Sequence, residues 1–165
     1  DSDGTYYMAP VDGDYNIYKI SMDSIYNVFK LDFGNNALSS EEIDKLRHSS
    51  ERNAYLRSNY FKRIYNIFEI SNYIYFGCIG PKSYRYEGLI NKETGEIRFG
   101  RWDYRKSPQF FYSDGKFLYG YYEPSTLIEM SKYTDQINFC FENITEEIHN
   151  LQIGNNLVVI KVSIN

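Results

Sequence analysis

RIYNIFEISNYIYFGCIGPKSYRYEGLINKETGEIRFGRW, Arg63 to Trp102, divides into four short extended segments separated by turn signals. RIYNIFEI (63–70) is a first strand and Ser71-Asn72 turns it back. YIYFGCIG (73–80) is a second strand, stopped at Pro81, whose missing N–H suits the end of a strand better than its middle. SYRYEGLI (83–90) is a third, and NKETGE (91–96) fits a type I turn closed by Gly95 in the left-handed region. EIRFGRW (96–102) is the fourth. The segments are rich in Tyr, Phe and Ile, whose bulky or β-branched side chains suit a pleated, half-buried surface. Ile74, Tyr75 and Phe76 run consecutively, which predicts a strand covered on both faces.

Four antiparallel strands joined by tight turns within about 40 residues make the unit of a β-propeller blade. A second copy of its centre lies downstream. YFGCIGP (75–81) aligns without a gap on LYGYYEP (118–124), placing Gly77 with Gly120 and Pro81 with Pro124. The turn at Ser71-Asn72 then answers Asp114-Gly115. The spacing of 43 residues falls in the range of propeller repeats. TYYMAP (5–10) resembles the same second strand once more.

Around these copies, residues 4–34 supply most of a blade. Strands are predicted at 5–10, at 15–21 and at 25–34, the last being the longest expected in the chain. Ser39 with Glu42 forms a capping box, so 40–57 is read as a helical insertion with a thin apolar stripe of Ile43 and Leu46. Pro124-Ser125-Thr126 opens either a further strand or a short helix through Met130. Asn143 with Glu146, and the spacing of Ile144, Ile148 and Leu151, predict another. LVVIKVSI (157–164) is a final strand placed to help close a ring. The predicted fold is all-β, a partial β-propeller of about three to four blades of four antiparallel strands, with short helical insertions. Blade-like units are expected at about 4–34, 63–102 and 107–165, in one domain.

Composition narrows the function classes. The net charge of −4 is modest and no Lys/Arg run reaches five residues, which argues against a nucleic-acid surface. No apolar run reaches the roughly 20 residues of a membrane helix. The chain opens DSDGTYYMAP, without signal-like sequence or an initiator Met, and is read as starting inside a longer protein or after processing. Cys78 and Cys140 lack CxxC spacing and neighbouring histidines, and are read as buried free thiols, with a disulfide as the alternative. Asp1-Ser2-Asp3-Gly4 hints at a calcium loop, but Tyr6 stands where such a loop needs glycine. No metal and no cofactor is expected.

Three elements carry a family resemblance: the IYKIS and IYNVFKLDFG segments (17–34), the YNIFEISNYIYFGC blade with its NKETGEI turn, and a helix followed by NNLVVIKV (155–162). With them the chain resembles the C-terminal half of the six-bladed β-propeller proteins abundant in Bacteroidetes-type bacteria. The family commonly has proline where Leu157 stands. The resemblance implies a periplasmic or outer-membrane-associated protein, about twice this length when complete. It implies as partner the remaining half of the propeller or a second copy of the chain.

No catalytic constellation emerges. His48 and His149 have no sequence-level partner, and there is no GxSxG, P-loop or dinucleotide fingerprint. Asp103 and Glu123, at predicted strand ends, are the carboxylates to weigh for a polysaccharide-directed hydrolase or lyase, although solvated strand ends explain them as simply. Tyr84, Tyr86, Trp102, Tyr104, Tyr121 and Tyr122 are the ligand-binding candidates, because flat rings with polar tips suit a sugar or peptide. The plainer reading is that they fill the space between blades. The expected function is a non-catalytic binding or scaffolding propeller at the cell envelope, its ligand a carbohydrate or protein.

Overall fold

A computed structural model describes residues 6–48, 55, 57–101, 108–131 and 157–163. The described chain is predominantly β, in three antiparallel sheets. The first holds β1 (Tyr6–Met8), β2 (Asn16–Ile20) and β3 (Ile25–Lys30), paired in that order. The second holds β4 (Arg63–Ile70), β5 (Tyr73–Ile79), β6 (Arg85–Asn91) and β7 (Ile97–Arg101), again in chain order. The third holds β8 (Gln109–Ser113), β9 (Phe117–Tyr122) and β10 (Val158–Ser163), with β9 in the middle. Helix α1 (Ser40–His48) follows the first sheet, and α2 (Pro124–Ser131) follows β9.

The second sheet lies between the other two. Ile64, Ile74, Phe76, Cys78 and Ile90 pack with Ile17, Leu31 and Phe61 toward the first sheet. Ile70 and Tyr75 pack with Phe110, Leu118, Tyr122 and Ile160 toward the third. This is the two-sided burial that the run Ile74-Tyr75-Phe76 predicts. Burying an aliphatic or aromatic side chain contributes roughly 1.5–3 kcal/mol, so these two cores are the main force holding the sheets together.

The repeat has a physical basis. Gly77 pairs with Tyr65 and Gly120 pairs with Phe110. At each glycine the partner's ring occupies the place of a side chain: a Cβ would stand 2.7 Å from the Tyr65 ring or 2.9 Å from that of Phe110. Each pair is followed by a β-bulge, between Tyr65 and Phe68 in one sheet and Phe110 and Tyr112 in the other. The resemblance of TYYMAP to the second strand is corrected. Residues 6–8 form β1, which pairs with β2 and packs beside β4, the first strand of its own sheet. Strand β3 ends at Lys30 rather than at residue 34, and β4, at the predicted 63–70, is instead the longest strand among the described residues. Leu31 turns into the core, and Asp32 accepts the Gly34 N–H at 2.8 Å to start a 3-10 turn at Gly34–Asn36.

The helix cap is built as the sequence implies. The Ser39 hydroxyl accepts the Glu42 N–H at 3.2 Å, and the Glu42 carboxylate accepts the Ser39 N–H at 3.0 Å. Pro124 starts α2, whose Leu127 and Met130 are buried. Cys78 is a buried free thiol, and burial pushes its pKa up to about 12. The candidate helix at 143–151, Cys140, His149 and the Asp1–Gly4 segment lie outside the described residues.

In the 91–96 loop, Gly95 has φ +72° and donates its N–H to the Asn91 carbonyl at 2.9 Å. Nothing lies within 4 Å of a Cβ built there, so backbone strain alone sets the cost of a side chain. Gly95→Val is expected to lose about 1–2 kcal/mol in denaturant melts, and Gly95→Asn clearly less, because Asn tolerates the left-handed region. Equal losses would mean that strain does not govern this turn.

Candidate functional site

The first strands of the three sheets, β1, β4 and β8, lie side by side. The contact between β4 and β8 is parallel. Ile70 and Gly115 form a parallel bridge, and the Ser71 N–H donates to the Gly115 carbonyl at 2.6 Å. Asn66 sits at the bulge of β4 with φ +49° and sends its amide to the Phe110 carbonyl at 2.9 Å. Asparagine is among the few residues that adopt this backbone readily, so here the bulge becomes a tether between sheets.

Glu69, next to last in β4, is bonded to all three sheets. Its carboxylate accepts the Tyr7 hydroxyl of β1 at 2.8 Å and pairs with Lys92 on the loop after β6. Its backbone carbonyl accepts the Ser113 hydroxyl of β8 at 2.5 Å. Lys92 is itself positioned by its N–H, which donates to the Asn72 carbonyl at 2.8 Å. Lys19 of β2 lies over the Tyr7 ring at 5.6 Å, adding a second cation to the group.

These contacts fix the charge state. Partial burial would raise the Glu69 pKa, but hydrogen bonds from Lys92 and Tyr7 and the charges of Lys92 and Lys19 outweigh it and hold the carboxyl below its ordinary range. Burial and the neighbouring carboxylate push the Tyr7 hydroxyl well above the usual phenol range. Glu69 is thus a carboxylate, and Tyr7 a neutral donor, throughout physiological pH. A cavity of about 300 Å³ opens here, lined by Tyr6, Tyr7, Phe68, Glu69, Ser113 and Gly115. Tyr6 is 57% exposed at its edge. Among the described residues no group of three His, Cys, Asp or Glu is placed to hold a metal ion.

The aromatic residues singled out from sequence do not form one surface among the described residues. Tyr122 is buried in the core between the second and third sheets, which corrects its assignment as a ligand contact. Tyr121, its neighbour, faces the other side and donates its hydroxyl to Gln109 at 2.8 Å. Tyr86 stacks on Phe99 at 5.4 Å, serving as packing between strands. Tyr84 is exposed, with the Arg101 guanidinium 4.7 Å from its ring centre. Trp102, Tyr104 and Asp103 lie outside the described residues. Glu123 is exposed at the start of α2, where its carbonyl accepts the Thr126 N–H at 2.9 Å.

Sequence reasoning missed Glu69 because its bonding partners come from distant segments: Tyr7 is 62 residues away in sequence and Ser113 is 44. The available signal was a single acidic residue beside a turn in a strand otherwise rich in Ile, Tyr and Phe.

The fold and site define an all-β protein of stacked antiparallel sheets with a polar junction at their first strands. No family model matches the chain, and no curated protein matches it. The chain is similar in structure to a crystallised protein of Bacteroides fragilis NCTC 9343 described as exported, with a TM-score of 0.64 and 15% sequence identity. The match covers 92% of this chain and 45% of that one. At this identity the likeness concerns the fold. Among the described residues no helix is long and apolar enough to cross a membrane.

Proposed function

We propose that the three sheets are blades of a β-propeller and that the chain serves as a non-catalytic binding module at the bacterial cell envelope, periplasmic or outer-membrane-associated. Three findings support the propeller reading: the chain order of antiparallel strands within each sheet, the parallel meeting of β4 with β8, and the glycine-under-aromatic repeat. The chain spans 45% of the exported neighbour's length, and the family resemblance implies a protein about twice this long. Its description as exported supports the location.

The observation that carries the binding reading is the Glu69 junction. A carboxylate, a serine hydroxyl and the exposed Tyr6 ring border one concave site where three sheets converge. Carboxylate and hydroxyl groups suit sugar hydroxyls, and a flat ring suits a sugar face, so we assign the ligand to carbohydrate. Hydrolysis is the weaker reading, because a glycosidase needs a protonated carboxylic acid as general acid. Both Glu69 oxygens here take donors, which keeps the group ionised.

A thermal-shift screen against a glycan panel should give a saturable rise in melting temperature with at least one member. Tyr6→Ala should weaken that binding about tenfold or more, from the loss of a stacking ring and its buried area. Product formation from the same glycans would overturn the non-catalytic reading. A full panel with no saturable shift would overturn the carbohydrate assignment.

A further inference from the structure

A second cavity, of about 410 Å³, opens between the second and third sheets, away from the Glu69 junction. Its size lies within the roughly 300–1,000 Å³ of small-ligand sites. Tyr75, Phe110 and Leu118 form a buried floor, with Leu89 and Val162 as walls. Among the described residues, polar side chains enter from the second sheet alone. Glu87 and Leu89 share a face of β6, where Gly100 pairs with Glu87 and Arg98 pairs with Leu89 across to β7.

The two charged groups differ in what already holds them. Glu87 takes the Tyr75 hydroxyl as a hydrogen-bond donor, and Arg85 lies near enough to Tyr75 and Tyr65 to offset its charge there. Arg98 makes a long contact through Nε, 3.8 Å from Glu96, with both side chains largely exposed. Such a pair is weak in water and yields readily to a better acceptor. A carboxylate matched to the guanidinium fork is that better acceptor.

We propose that this cavity binds a small apolar carboxylate of the fatty-acid type, with its hydrocarbon body between the sheets and its carboxylate on Arg98. The proposal does not depend on the carbohydrate reading, since the two cavities share no lining residue. Gly100 lines the cavity, and a Cβ built there meets nothing within 4 Å, so the strand leaves open space at this position.

The test is calorimetric titration with decanoate, decanol and decyltrimethylammonium, each below its micelle-forming concentration. Decanoate should bind saturably and about tenfold or more tighter than either analogue, since a hydrogen-bonded charge pair is worth about that much. Arg98→Gln should lose that advantage and leave decanol binding unchanged. Gly100→Phe should abolish binding of all three while the melting temperature stays at or above that of the parent, because the ring enters open space. The proposal is overturned if decanoate fails to saturate, if an analogue binds as well, or if either variant binds decanoate like the parent.

Discussion

Gly88→Ala should destabilise the protein by about 2–3 kcal/mol, the upper part of the range for overpacking a full core, and Gly88→Val by more. Gly88 of β6 pairs with Phe76 of β5, and the Phe76 ring crosses directly over it. A Cβ at residue 88 would stand 2.3 Å from the tip of that ring. Phe76 is 1% exposed and stacks on Phe99 at 5.8 Å, so the ring has no room to withdraw. The loss is a large part of the roughly 5–15 kcal/mol that keeps a domain folded. Gly100→Ala, in the neighbouring strand with open space around its Cβ, is the control and should be neutral or slightly stabilising. Trimming the ring by Phe76→Leu should offset part of the Gly88→Ala cost, giving a coupling of about 1 kcal/mol or more in a double-mutant cycle. If Gly88→Ala and Gly100→Ala cost the same, the close approach does not govern packing in this sheet.

The same rings explain what could be read from the sequence. Gly77 and Gly120 stand out because each lies under an aromatic ring of the preceding strand, so sequence spacing and three-dimensional packing carry one signal. The Asn91–Gly95 turn and the Ser39–Glu42 cap were legible because their bonding is local. TYYMAP misled because its aromatics suit either of two strand positions, and only the neighbour across the sheet junction decides between them. The bulge at Asn66 left no clear trace, since a polar residue in a half-covered strand is also what a solvent-facing position looks like. Glu69 is the extreme case. Its role depends on Tyr7, Lys92 and Ser113, and no local rule brings those residues together. The aromatic set failed in part for a related reason: adjacent residues in a strand face opposite ways, so Tyr121 and Tyr122 could not share a surface.

The isolated 165-residue chain should associate at micromolar concentration, with a light-scattering mass above that of one copy. Among the described residues the second sheet has both faces covered, but the third is covered on one. Its other face presents Phe111 at 54% exposure, Tyr112 at 53% and Val159 at 64%, beside the rings of Tyr119 and Tyr121. At the opposite end of the stack, Ile25 and Tyr26 of β3 are also exposed. Sheets of this kind bury both faces when stacked, and in a purified sample a second copy is the available cover. Lys161, 3.7 Å above the Phe117 ring, shields only part of the third sheet's face. Phe111→Lys combined with Val159→Lys should therefore return the chain to a monomer. Both positions are already solvent-exposed, so the melting temperature of the monomeric variant should stay within a few degrees of the parent, as surface substitutions usually allow about ±0.5 kcal/mol. A parent chain that is cleanly monomeric at micromolar concentration would show that this aromatic face tolerates water, and the need for further sheets to cover it would fall.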